Sequence, residues 1–389
     1  RSQQAASMHV PLLVLMCSVS AVPISFICNH FRSELTEPVI LAIGVAVLSA
    51  ICFIIWLGMD KGKPIEPLYF PFALGCFGCA IDMVISMDMD GFVDGFADFY
   101  LEKGESYLKT SHGLYINYWD GVVHYAQYLY MVTAIYWNGE YRHTSLYWFG
   151  SMMNSIIVLL CGAACGPHQL RPALLLNVPF ALYPLYVLHR ALRTADWSDT
   201  GLRPACLAGL RARRFPGLAD ACLALACIAT ACICLLRAVV AVGCNHPVCR
   251  YLAVDVDPYS GDAERFPLFQ LLTYAYFLAP FLLAVARALL APATGLNIRA
   301  LLDWSLVAAG AVAQGQFSYT LAPFHLRTPF ARRVPSQAGP RAIFLAINLC
   351  VALVPHLVLL RLRRLSKDLS VSDEAATTLR TSDSRKKDN

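Results

Sequence analysis

The sequence predicts an all-α polytopic membrane protein, and three observations predict it. Of the 389 residues, 57% are hydrophobic and only 15% are charged, where soluble domains carry roughly 25% charged residues. Mean hydropathy is +0.53. The apolar residues gather into about ten runs of the roughly 20 residues that a hydrocarbon core about 30 Å thick requires. Runs of that length without turn signals exceed any β-strand. The 31 Lys+Arg and 26 Asp+Glu are too nearly balanced and too dispersed for a nucleic-acid footprint, so no nucleic-acid partner is expected.

In chain order the expected spans are Val10–Cys28, Pro38–Met59, Pro67–Met87, Leu114–Trp137, Ser145–Gly166, Pro172–Leu188, Gly217–Val242, Pro267–Leu290, Ala300–Ala322 and Ala342–Leu360. Small residues at Ser18–Ala21 also suit a cleaved leader, but no basic stretch precedes the first run, which therefore reads as a span. An even number of spans puts both termini on one side. That side holds about twice the Lys+Arg of the other, so the positive-inside rule makes it cytosolic. The chain divides into an N-terminal two-helix region (1–60), a four-helix unit (61–190), a basic cytosolic loop (191–216), a second four-helix unit (217–365) and a polar tail (366–389) expected to be disordered. The tail ends Lys-Lys-Asp-Asn, which places Lys386 and Lys387 where the retrieval coat of the endoplasmic reticulum reads a dilysine address. A merely solvated basic end is the alternative, and the position at the extreme terminus favours the address.

Most of the 15 cysteines lie in apolar runs, where thiols act as small hydrophobes. Cys76 and Cys79 form a C-x-x-C inside a hydrophobic helix, with no second pair or histidines nearby to complete a metal site. Cys244 and Cys249 fall in a loop expected to face the oxidising lumen, where a disulfide between them is possible. No phosphate-cradling glycine loop, nucleophile elbow or HExxH pattern occurs, so neither cofactor nor metal is expected.

Function is sought among polar groups that lipid should not tolerate, because ionisable residues at membrane depth face the bundle interior. Asp82 lies deep in the third span and Asp120 at comparable depth in the fourth. Asn117, Asp120, His124 and Gln127 recur at helical spacing and form one polar stripe. Such a stripe must face either an interhelical hydrogen-bond clamp or a wet, ligand-holding cavity. Burial raises a carboxyl pKa, which would suit Asp82 and Asp120 to acid/base work near neutrality if the protein is an enzyme. Arg237, Gln270, Asn348 and His356 are the corresponding intramembrane polar residues further along, and Ala309, Gly310, Ala313 and Gly315 suit close helix packing.

The two four-helix units look like copies. Asn177 precedes Pro184, and Asn348 precedes Pro355, by the same interval in each unit's last helix; Asp82 corresponds in order to Arg237 and Asp120 to Gln270. Both units start on the cytosolic side, which makes the repeat parallel, with its axis along the membrane normal.

With GFVDGFADFYLEKGESYLKTSHGLYINYWDGVVHY, QGQFSYTLAPFHLRTPFARRVP and the repeated unit, the chain resembles the transmembrane six superfamily, whose members carry two EXPERA domains. The match covers nearly the whole chain, and the Lys-Lys-Asp-Asn ending resembles one branch of the family more than the other. The resemblance implies a protein of the endoplasmic reticulum and its intermediate compartment that loads lipid into triglyceride-rich lipoproteins and limits lipid-droplet storage. It also implies membrane lipids, a sterol or acyl lipid ligand and lipoprotein-assembly proteins as partners. EXPERA domains also occur in the sterol Δ8–Δ7 isomerase, which uses a His, two Glu, an Asn and a Trp. By position these fall here at Asp82, Ser86, Asp120, Asn177 and Phe180 in the first unit, and at Arg237, Ala241, Gln270, Asn348 and Val351 in the second. The first unit thus loses the His and the Trp, and the second retains no proton donor of suitable pKa. The expected function is non-catalytic binding of a lipid or sterol by the first unit. A sterol isomerase and a lipid transporter or scramblase are the alternatives.

Overall fold

The computed structural model describes residues 9–59, 66–193, 217–291 and 298–387, with side chains described as far as Leu365. Most of the basic loop, and the side chains of Lys386 and Lys387, lie outside the described residues. Among those described there is no strand. Among the described residues eight helices are long and apolar enough to cross a membrane, and they match eight of the ten expected spans. The other two, expected at Leu114–Trp137 and Ala300–Ala322, are helical as well. Their polar residues keep them below the apolarity of a lipid-facing span, and protein rather than lipid surrounds most of the second of them.

The first span is broken at Ser20 into α1 (His9–Val19) and α2 (Ala21–His30), followed by α3 (Glu37–Gly58). The first unit contains α4 (Tyr69–Met89), a short α5 (Asp98–Lys103) and a 3₁₀ turn at Ser106–Lys109. Its second long helix is α6 (Ser111–Trp119), a π segment (Asp120–His124) and α7 (Tyr125–Tyr136); α8 (Arg142–Cys165) follows. Its last span opens as a 3₁₀ segment, Pro172–Asn177, with Pro172 at a first-turn position where its missing N–H costs no hydrogen bond, and continues as α9 (Val178–Arg193). The second unit repeats this plan with α10 (Leu218–Ala241), α11 (Pro247–Tyr251) and a 3₁₀ turn at Pro258–Gly261. Then come α12 (Phe266–Thr273), a π segment (Tyr274–Leu278), α13 (Ala279–Leu290), α14 (Ile298–Leu321) and α15 (Ala338–Lys387). Both units place a 3₁₀ turn before the second helix and a π segment within it.

Helix α15 runs on from the last span to Lys387, through a stretch, Ser366–Lys387, that contains neither Pro nor Gly. The N-terminal two-helix region packs on the first unit: Val10, Val14, Ile51 and Ile55 share one core with Phe72, Cys76, Tyr128 and Trp148.

The units meet chiefly through their third helices, α8 and α14. Gly150 and Gly310 make this possible. A Cβ on Gly150 would stand 1.9 Å from the Val307 carbonyl oxygen, and one on Gly310 would stand 1.9 Å from that of Tyr147. Four residues on from each glycine, Asn154 Nδ2 donates to Gln314 Oε1 at 2.5 Å. The two glycine contacts are counterparts of each other, as a two-fold axis between the units requires.

Candidate functional site: an acid-lined cavity in the first unit

Helices α4, α6 and α8, the π segment, and the 3₁₀ segment before α9 surround a cavity of about 200 Å³, with α2 and α3 completing its wall. Asp82 of α4, Asn117 of α6, Asp120 and His124 of the π segment, and Asn177 and Phe180 all line it. Apolar side chains such as Ile81, Ile85, Val47 and Ile156 make up much of the remainder, and no Lys or Arg lines it. Asn117 is 2% exposed, and its Nδ2 is buried without a hydrogen-bond partner. A buried amide left unpaired costs about 1–3 kcal/mol unless something else accepts its hydrogen.

The carboxylate of Asp120 is held from behind. Its Oδ1 lies 2.6 Å from His124 Nδ1, close enough for an ion pair though off the line of a hydrogen bond. His124 Nε2 is 2.7 Å from Ser151 Oγ on α8, which also accepts from Trp119 Nε1 at 2.8 Å. Ser151 Oγ, accepting from Trp119, keeps one hydrogen and one further lone pair for His124 Nε2, so the serine ties the imidazole to Trp119 in either tautomer. Ser151 does not line the cavity, so this chain positions a carboxylate and is not an exposed nucleophile.

Glu105, which sequence reasoning missed, lines the end of the cavity beside Asn177. It sits between α5 and the 3₁₀ turn, is buried, lines the cavity and accepts from Asn177 Nδ2. Burial pushes its carboxyl up to about 7, against the opposing pull of Tyr107, Asn177 and Tyr100. The segment carrying it is tied to the N-terminal helices. Lys103 Nζ donates to the carbonyls of Arg32 and Leu35 at 2.6 and 2.8 Å, and Phe99 N donates to Asn29 Oδ1 at 3.0 Å. The sequence signal was available: Glu105-Ser-Tyr107 and Asp257-Pro-Tyr259 begin the equivalent 3₁₀ turns of the two units. Because the folded pKa lies above the ordinary glutamate value of 4.5, folding favours the protonated form. Stability is therefore unaffected below about pH 4 and falls as the pH rises through 7. Glu105→Gln is expected to flatten the pH dependence of melting between pH 5 and 8 and to stabilise the protein by up to about 3 kcal/mol at pH 8. Melting curves of both proteins across that range check it, and parallel curves would refute it.

Two expected lining residues are elsewhere. Ser86 is fully buried and donates to the carbonyls of Asp82 and Leu114. Gln127 is turned away from the cavity, because the wide π turn at Asp120–His124 shifts the phase of every residue after it.

The second unit has no comparable cavity among the described residues. Arg237 fills the place, with 6% exposure, donating to Asp257 Oδ2 at 2.9 Å and Asn348 Oδ1 at 3.1 Å while lying 4.6 Å from the Tyr319 ring centroid. A void of about 10 Å³ remains beside it. Arg237 does not snorkel; it is a buried partner. Gln270 is not the counterpart of Asp120, since the π segments put Tyr274 in that position. Gln270 instead exchanges hydrogen bonds with Asn154 at 2.9 and 3.0 Å and joins the units. Cys244 and Cys249 are joined in a disulfide before and within α11.

An all-helical bundle with apolar helices of membrane-crossing length and an acid-lined cavity inside its first unit defines a multi-pass membrane protein with an internal polar site. Residues 20–200, which enclose the cavity, match the model of the transmembrane 6 superfamily member 2-like transmembrane domain. The chain is 35% identical over 365 residues to transmembrane 6 superfamily member 2 of Homo sapiens, covering 91% of this chain and 94% of that protein. The proteins of the same name from Rattus norvegicus and Mus musculus are each 34% identical, over 88% of this chain and 90% of their own length. The chain belongs to the transmembrane 6 superfamily member 2 family. No solved structure matches it.

Proposed function

We propose that the protein is a non-catalytic lipid- or sterol-binding protein of the endoplasmic reticulum membrane and intermediate compartment, and that its first unit holds the ligand. Through that binding it influences triglyceride secretion in lipoproteins and lipid-droplet content. Its termini are cytosolic, Lys386 and Lys387 engage the retrieval coat, and lipoprotein-assembly proteins are its partners. The observation that carries this reading is the meeting of Asp82, Asp120, Asn117 and Asn177 around one apolar-walled cavity, with the Asn117 amide unpaired. A hydroxyl-bearing lipid would accept from Asn117 and donate to a carboxylate. Purified protein is expected to bind radiolabelled sterol or acyl lipid saturably, and Asp120→Asn to weaken binding about tenfold, the equivalent of one charge-assisted hydrogen bond. Absence of saturable binding, or binding indifferent to Asp120→Asn, would overturn the proposal.

Asp82 and Asp120 sharing a cavity also keeps a sterol isomerase in view, with the two carboxyls as acid and base. Rescue of isomerase-deficient cells that is lost with Asp82→Asn or Asp120→Asn would favour catalysis over binding alone.

A further inference from the structure

The cavity is too small for a whole lipid. Its volume of about 200 Å³ falls below the roughly 300–1,000 Å³ of sites that bury an entire drug-sized ligand. Beside it, on the outer side of α3, lies an apolar groove of about 840 Å³ lined by Val45, Phe53, Trp56 and Leu175 among others. Phe53, Trp56 and Leu175 are more than half exposed, which on a membrane helix means open to acyl chains. Cavity and groove share two walls, Leu48 of α3 and Leu176 of the 3₁₀ segment. Leu176 has room there only because its neighbour is Gly44, where a Cβ would stand 2.8 Å from a Leu176 methyl. Leu176 is also the residue before Asn177, so one short segment presents an amide to the cavity and a leucine to the groove.

We propose that cavity and groove are two halves of one site for a neutral, hydroxyl-headed acyl lipid. The head lies among Asp82, Asp120 and Asn117, and the chain passes between Leu48 and Leu176 into the groove and the bilayer. This rests on the proposed binding role of the cavity and adds the ligand's class and its pose. The head is a hydroxyl rather than an anion because Asp82, Asp120 and Glu105 line the cavity and no Lys or Arg does, so a fatty carboxylate or phosphate would find no such cation to pair with, whereas a hydroxyl accepts from the unpaired Asn117 amide and donates to a carboxyl. The tail is a chain because a flexible run of methylenes threads between two leucines that merely change rotamer, whereas a rigid ring system does not.

The test uses full-length protein in nanodiscs and two photoreactive monopalmitoylglycerols, one with the diazirine beside the glycerol and one with it at the chain end. Labelled peptides are identified by mass spectrometry. The head probe is expected to label peptides containing Asp82 or Asp120, and the tail probe peptides containing Phe53, Trp56 or Leu175. Excess monopalmitoylglycerol should abolish both signals, and palmitate should compete at least tenfold less well. Val45→Trp, a residue of the groove alone, should cut competable groove labelling at least fivefold while a six-carbon head probe still labels the cavity. Tail-probe labels confined to cavity peptides, equal competition by palmitate, or groove labelling unchanged in Val45→Trp would each overturn the two-part site while leaving the cavity's binding role intact. No competable labelling of the cavity by either head probe would remove both.

Discussion

Truncating Asp257 to Ala is expected to destabilise the protein by about 3–5 kcal/mol, because it strands the Arg237 guanidinium in the second unit with its charge uncompensated. Arg237 and Asp257 are 6% and 7% exposed, so solvent screens little of the interaction. Asp257 Oδ2 accepts from both Arg237 and the Tyr319 hydroxyl, the latter at 2.8 Å, so the truncation orphans two donors at once. Asn348 remains as a partner for Arg237, but a neutral amide oxygen does not replace a carboxylate. In detergent the melting temperature should drop by roughly 5–10 °C. Arg237→Leu combined with Asp257→Leu should recover part of that loss, since no buried charge remains and only the Tyr319 hydroxyl and the Asn348 oxygen are left without those partners. An Asp257→Ala protein that melts like the parent would mean that water reaches Arg237 and that the second unit is not the closed copy described above. Lipid binding by the first unit should survive the double variant, because its cavity shares no lining residue with the Arg237 cluster.

The sequence carries the helices plainly, because a 20-residue apolar run has few alternatives in lipid. It carries the stripe through Asn117, Asp120 and His124 for the same reason: polar residues at helical spacing are conspicuous against an apolar background. Phase was not legible. A π segment leaves no mark in composition, yet it turns Gln127 away from the cavity and sets Tyr274, rather than Gln270, opposite Asp120. Glu105 was legible only by setting the two units side by side, since alone a carboxylate in a polar loop reads as solvated until Lys103 and Asn29 are seen fastening that loop over the cavity. Arg237 shows the same difficulty from the other side. Near a helix end a lone arginine reads as snorkelling, and only the fold brings Asp257, twenty residues on, back against it. The N-terminal helices likewise carry no polar signal, so nothing in their composition announced that Ser25 and Gly44 would line the site.

Gly150→Leu and Gly310→Leu should each cost about 3 kcal/mol or more, at the upper end of what overpacking exacts, because the atom met by the new side chain is a backbone carbonyl that cannot swing aside. Separations of 1.9 Å must open towards ordinary contact, so α8 and α14 have to part. Parting them also stretches the hydrogen bonds of Asn154 to Gln314 and Gln270, buried polar groups with no water to turn to. The double variant distinguishes a shared seam from two separate tight spots. If one axis relates the glycines, the helices have already moved apart in either single variant, and the second leucine adds well under the sum of the two. Melting measurements on the two single variants and the double decide it. Additive losses would mean that the glycines act independently, and the pseudo-two-fold relation between the units would then describe their sequences without describing how they are held together.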